Sequence, residues 1–277
     1  MGPCRILVLV IASDFPRHYV EMQDLWTKHV ADRCVNDRCV NDRCINDRCV
    51  NDRCVNDRCI NDRCVNDRCV NDRCVTTDVW FIKAKPAHLW IGDIVNDGPL
   101  SDIVELDREA MTIFVKGDET YIPGILNKTI EAIRAIGLSD YDFIWRTNLS
   151  SVLDFTGLAK YIDSLCVSSM FYGGFTGLSV DGSVSFASGA GFLMSRDVAI
   201  YLVDNRDLLR WDLIDDVAIG ALLEPKFGIT HIERCWVQTG NEDFAGLIAS
   251  GIFHFRCETY KHERTTEFMK AVSKALS

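Results

Sequence analysis

No stretch of this 277-residue chain is apolar for long enough to cross a bilayer, and no stretch is rich in Lys and Arg. A membrane-spanning helix needs about 20 consecutive apolar residues. The nearest candidate, Ile6 to Ala12, is far shorter and lacks a basic leader and a secretory cleavage site. The expectation is a soluble, cytoplasmic protein in which the sequons Asn127-Lys128-Thr129 and Asn148-Leu149-Ser150 go unused. The net charge of −10, with no basic cluster, argues against a nucleic-acid backbone or an anionic membrane surface as the main partner. Pro3 and the lack of Ser or Thr at position 6 argue against myristoylation of the Met1-Gly2 start. Cysteine is scarce once one segment is set aside. Nine of the 13 (Cys34, Cys39, Cys44, Cys49, Cys54, Cys59, Cys64, Cys69 and Cys74) belong to a tandem repeat. Cys4, Cys166, Cys235 and Cys257 remain, and they are expected to be reduced core thiols rather than a disulfide framework.

What is present points to a globular α/β domain. With 48% hydrophobic and 25% charged residues, the chain can bury a full core, and residues 1–277 are expected to form a single domain. Arg5 opens a continuous apolar run, RILVLVIAS, of the kind buried on both faces of a parallel sheet. A turn at Ser13 to Pro16 then leads into a helix carrying Tyr19, Val20, Leu25 and Trp26. Further strands are expected at Asp78–Ile82, Thr112–Val115, Asp142–Trp145, Met170–Phe175, Val184–Met194, His231–Val237 and Ile252–Phe255. Helical spacing is clearest at Ile122, Ile125, Leu126, Ile130 and Ile133, with Pro123 in the first turn and Gly137 as the stop. Other helices are expected after Asp154 and Ser195, from Asp215 to a stop at Pro225, and through Phe268, Met269, Val272 and Leu276.

Residues 31–75 interrupt this pattern with near-perfect copies of a five-residue unit, Val/Ile-Asn-Asp-Arg-Cys. Five residues advance a helix by roughly 500°, and an odd period swaps strand faces at every copy, so neither element gains an apolar face. The tract is expected to be an exposed or disordered insertion between the first helix and the second strand. A thiol-rich metal-binding tract is the alternative, although Cys-x4-Cys is not a usual zinc spacing.

The stretch around which the chain is organised is Tyr141 to Phe155, YDFIWRTNLSSVLDF. It reads as strand, polar loop and capped helix. Ligands bind beyond the carboxyl ends of strands in open α/β sheets, so Arg146 to Ser151 is the first candidate site, against the plainer reading of a capped loop. Three other segments accompany it: GDETYIPGILNKTIEAI, FASGAGFLMSRDVA and IDDVAIG. In that order, the four resemble the motifs of inverting β-1,3-glycosyltransferases with a GT-A fold, of the galactosyltransferase and Fringe type. The Arg-Thr-Asn-Leu-Ser-Ser wording also resembles viral and bacterial glycosyltransferase-like proteins.

The resemblance implies a GT-A-like, Rossmann-type fold: a mixed, mostly parallel central sheet flanked by helices, with the repeat as an insertion. It implies transfer of a sugar from a nucleoside-diphosphate sugar, UDP-sugar foremost, to a glycan or other hydroxyl acceptor, with inversion. Such chemistry needs a base for the acceptor proton and positive charge for the departing diphosphate. By resemblance the base falls on Asp215 or Asp216, donor phosphates on Arg146, Asn148, Ser150 and Arg256, and the acceptor side on Gly189 and Gly191. Mn²⁺ or Mg²⁺ would fall to Asn148, Ser150 and His254, where Asn148-Leu149-Ser150 replaces the family's Asp-x-Asp. A metal-free site charged by Arg146 or Arg256, or a further contribution from Asp154, is the alternative. A non-catalytic carbohydrate- or nucleotide-binding protein on the same fold is the rival reading of function.

Overall fold

The computed structural model describes residues 4–14, 18–43, 69–70, 73–86, 104–165, 167–237, 243–257 and 262–276. The chain begins β1 (Cys4–Ile11), α1 (His18–Arg43), β2 (Cys69–Val70), β3 (Arg73–Lys85), β4 (Val104–Asp107) and β5 (Thr112–Lys116). It continues α2 (Gly124–Ile136), β6 (Phe143–Asn148), β7 (Ser151–Leu153), α3 (Phe155–Ser164), β8 (Tyr172–Leu178), β9 (Ser185–Ser195) and α4 (Arg196–Asp204). It closes α5 (Asp215–Phe227), β10 (Thr230–His231), β11 (Cys235–Val237), α6 (Phe244–Ala249), β12 (His254–Arg256) and α7 (His262–Leu276).

β1 alternates between two cores, which is why its sequence is apolar throughout. Ile6, Val8 and Val10 enter one core; Leu7, Leu9 and Ile11 enter the other. The first core packs against Met22 and Trp26 of α1, Leu158 and Ile162 of α3, and Phe268, Met269 and Val272 of α7. The second packs against Leu126, Ile130 and Ile133 of α2, Val198 and Leu202 of α4, and Ile219 and Leu223 of α5. Helices therefore cover both faces of the sheet, as the sequence leads one to expect. The main sheet has nine strands in the order β10-β8-β9-β6-β1-β3-β5-β4, with β2 paired to β3. The strands β1, β3, β5, β6, β8 and β10 run one way, and β2, β4 and β9 run the other. A second sheet of three strands, β11-β12-β7, lies against the first core through Phe253 and Phe255.

Several boundaries differ from the expected ones. β6 does not stop at Trp145 but runs through Asn148, because Arg146 and Thr147 are paired on both sides, with Leu9 and Val10 of β1 and with Phe192 and Gly191 of β9. Two-sided ladder bonding outweighs local polarity here. What was expected as a loop is a turn at Leu149-Ser150 followed by β7. β3 starts at Arg73, and its Val75, Thr76 and Thr77 pair with the first residues of β1. α1 runs to Arg43, so helix propagates from a packed first half into the opening copies of the repeat. Residues 44–68, with most of the repeat, lie outside the described residues, as does Cys166. Pro225 does not end α5; the helix runs two residues further to Phe227 and is capped by Gly228, whose φ of 67° suits glycine. Pro123 precedes α2 rather than opening it, while Gly137 ends it as expected. β4 and α6 were not anticipated.

Asp154 caps α3 as expected, its carboxylate accepting the Thr156 N–H at 3.1 Å. Replacing it by Ala is expected to cost about 0.5–2 kcal/mol. The check is urea unfolding, in which the midpoint should fall with the slope unchanged; an unshifted midpoint would refute the cap's contribution.

Candidate functional site

The site lies where the sheet's order reverses. From β1 the chain adds β3 and β5 on one side and β6 on the other, so a crevice opens at the carboxyl ends of β1 and β6, where Ile11 stands opposite Asn148. β9 runs antiparallel to β6 and brings Gly189 to Gly191 to the same end. The first turn of α5 brings Asp215 and Asp216, and β12 brings Arg256, which stands opposite Ser151 of β7.

Arg146 and Asp215 form the centre of this arrangement. Arg146 is 2% exposed and Asp215 7%. One terminal nitrogen of the guanidinium donates to Asp215 Oδ2 and the other to the Gly189 carbonyl. The cation also lies over the Phe192 ring, 5.6 Å from its centroid. An ion pair this buried is held by geometry, because desolvating two charges offsets most of their attraction. Gly189 is close to required. A Cβ there would stand 2.9 Å from the Arg146 terminal nitrogen and 3.3 Å from both aspartate oxygens.

Asp216 differs from its neighbour. It is only partly buried, forms no ion pair among the described residues, and accepts N–H bonds from Gly189 at 2.8 Å and Val217 at 3.0 Å. Burial, then the Asp215 charge, raises its pKa, against the pull of the Gly189 N–H and Arg146. The two acids that stand together in the sequence thus have separate environments. One is neutralised in a buried pair; the other is a carboxylate facing the crevice with increased proton affinity.

The polar end of β6 is self-satisfied. Asn148 Oδ1 accepts the hydroxyls of Ser150 at 2.7 Å and Ser151 at 3.2 Å, and its amide nitrogen donates to the Gly189 carbonyl at 3.3 Å. Thr147 donates to the Ala190 carbonyl at 2.7 Å and stands 3.3 Å from His254 Nε2. His254 is 1% exposed, with its ring 5.3 Å from that of Trp145. Burial, then the Arg256 charge, lowers its pKa to about 3, so the ring stays neutral. Gly191 makes room for it: a Cβ there would meet Trp145 at 2.7 Å and His254 at 2.8 Å. Gly191 and His254 therefore pack together inside the core, whereas Arg146, Asn148, Ser150, Gly189, Asp215 and Asp216 share one network at the crevice.

These residues do not form a ligand set for a hard divalent cation. Such ions take several oxygen ligands with carboxylates among them. Here the Asn148 oxygen is occupied by two hydroxyls, Asp215 is occupied by Arg146, and His254 is sealed in the core. Among the described residues, no three His, Cys, Asp or Glu side chains come together as a metal-binding group.

Arg256 is the cation left over. It is partly exposed and has no hydrogen bond or ion pair among the described residues. Burial, then Arg146, lowers its pKa, while Asp216 and Tyr121 act in the opposite sense. Tyr121, 65% exposed on the segment before α2, was not expected at the site. Its pKa is raised by burial, then by Asp215 and Asp216. Lys128 of α2 was also missed. It is 2% exposed and donates to the Ala12 carbonyl at 3.0 Å and to Glu119 at 2.6 Å, which fastens the end of β1 to α2. A helical Lys is ordinarily solvated, and only the fold reveals this one.

No protein-family model matches the chain, and neither does any curated protein. Among solved structures it is similar to the galactosyltransferase LgtC in complex with donor and acceptor sugar analogs. The likeness covers 96% of this chain and 95% of that one, at 10% identity and a TM-score of 0.41.

Two outcomes are expected. Asp215→Ala, which strands the Arg146 charge, should cost about 3–5 kcal/mol in denaturant unfolding, and adding Arg146→Met should recover most of it. A single-variant loss under about 1 kcal/mol would disprove the pair's structural role. The second concerns pH. Because the folded state binds the Asp216 proton more tightly than the unfolded chain does, stability should fall as pH rises from the ordinary aspartate value of about 3.9 through the raised one. Wild type should lose stability relative to Asp216→Asn across that window, and a flat difference would contradict the raised value.

Proposed function

We propose that the protein is a glycosyltransferase that moves a sugar from a nucleoside-diphosphate sugar, UDP-sugar foremost, to a hydroxyl acceptor with inversion at the anomeric carbon. The observation that carries this reading is the separation of the two aspartates. Asp216 is the base: partly buried, oriented by two backbone N–H groups, and with its proton affinity raised by burial and the Asp215 charge. Asp215 positions Arg146, and through it the Gly189 backbone that orients Asp216.

In the reaction, Asp216 takes the acceptor hydroxyl's proton as that oxygen attacks the anomeric carbon. The bond to the diphosphate breaks with its electron pair kept by the phosphate oxygen. A single base and an in-line leaving group suffice for inversion. The order of motifs along the sequence and the position of the site at the sheet's reversal support the same reading. A second reading, a non-catalytic carbohydrate- or nucleotide-binding protein, is favoured by Asn148-Leu149-Ser150 standing where the family carries two acids.

The test is turnover of a panel of nucleotide sugars by wild type and Asp216→Asn. The variant should lose roughly 10²–10⁴-fold in kcat with donor affinity nearly kept, and wild-type kcat/KM should rise with pH through a value above that of an ordinary aspartate. Donor binding without turnover at any pH would favour the binding-protein reading.

A further inference from the structure

We propose that Arg256 takes the place of the divalent cation and holds the donor's diphosphate, so that binding and departure of the diphosphate need no metal. The inference rests on the transferase reading and names how that site meets its charged substrate.

The groups expected to hold a cation are committed to the protein: the Asn148 oxygen to two hydroxyls, Asp215 to Arg146, and His254 to its core position against Trp145 and Gly191. Arg146 is held in the fold by both its terminal nitrogens, with its Nε buried and unpartnered. Arg256 is the exception. β12 is clamped beside the end of β6: the Cys257 N–H donates to the Ser150 carbonyl at 2.9 Å, and Arg256 stands opposite Ser151. Its backbone is thus fixed next to the Leu149-Ser150 turn, while its guanidinium has no hydrogen bond or ion pair among the described residues. Arg146 and Asp216, which both act on its charge, belong to the network at the same end of the sheet.

A guanidinium is always charged, is less strongly hydrated than an ammonium, and presents paired N–H donors that match phosphate oxygens. One placed at the mouth of a crevice without a carboxylate partner has anion capacity unused by the fold. When the anomeric bond breaks, the electron pair moves onto the phosphate oxygen, and the new negative charge faces Arg256. The proton has gone to Asp216 and the new bond is to the acceptor oxygen, so charge and atoms balance without a Lewis acid.

The test measures binding of inorganic pyrophosphate and of UDP by calorimetry, in EDTA and in Mn²⁺, for wild type, Arg256→Ala and Arg256→Met. Arg256→Met keeps the aliphatic volume in case Arg256→Ala unfolds, and circular dichroism and melting verify both. The expected result is binding in EDTA that Mn²⁺ changes less than twofold, weakened roughly 10- to 100-fold without Arg256. Binding that requires Mn²⁺, or affinity unchanged in a folded Arg256 variant, would overturn the proposal. Turnover assays separate the two readings. Metal-dependent sugar transfer would sink this inference and leave the transferase standing. Arg256-dependent pyrophosphate binding in EDTA, with no nucleotide sugar consumed, would support the anion site and sink the transferase.

Discussion

The buried pair between Arg146 and Asp215 is the constraint on which the site depends. It joins three elements distant in sequence: β6, which carries the arginine; α5, which begins with the aspartate; and β9, whose Gly189 carbonyl takes the second guanidinium bond. A buried ion pair adds little net stability over a well-packed apolar substitute. Its effect is positional. With Arg146 fixed, Gly189 is fixed, and the Gly189 N–H in turn fixes the Asp216 carboxylate. Two hydrogen bonds thus lead from a charge sealed in the sheet to the Asp216 carboxylate, and a Cβ on the residue they pass through would stand 2.9 Å from the guanidinium.

Much of the framework was legible because it follows from local pattern. The uninterrupted apolar run of β1 announces a strand buried on two faces, and both cores duly meet there. The spacing of Leu126, Ile130 and Ile133 announces α2, and Asp154 announces the start of α3. These signals work because burial and capping act over three or four residues. The paired aspartates were legible as a unit too, but not as two roles. Nothing in the string Asp215-Asp216 says which of them meets an arginine 69 residues away.

The boundary that differed at β6 has a long-range cause. β6 continues through Arg146, Thr147 and Asn148 because neighbouring strands on both sides take its backbone bonds, and those neighbours come from the start of the chain and from residues beyond 190. Polar composition forecast a loop, yet each polar side chain finds a partner inside the fold. The same long-range closure hides Lys128, whose amine is bonded to the Ala12 carbonyl 116 residues earlier, and His254, which looks like a ligand in sequence but is packed behind Thr147. Arg256 shows the converse. Its sequence neighbours give no hint that it differs from Arg146, and the distinction between a committed guanidinium and an available one emerges only from a full account of partners.

The position of the repeat follows from the same sheet. β3 resumes beside the first residue of β1, with Val75 opposite Cys4, so the inserted tract rejoins the fold at the amino ends of these parallel strands. The crevice lies at their carboxyl ends, beyond Ile11 and Asn148. At about 3.3 Å per residue, the length of β1 separates the two by roughly 23 Å. A connection between α1 and β3 is also where a chain tolerates added length most easily, since closure entropy grows only with the logarithm of loop length, about 0.6 kcal/mol per doubling. The junction stands at the opposite end of β1 from the hydrogen-bonded path that runs from Arg146 to Asp216. An equal insertion at the Leu149-Ser150 turn would separate β7 from β6, and with it Arg256 from the crevice.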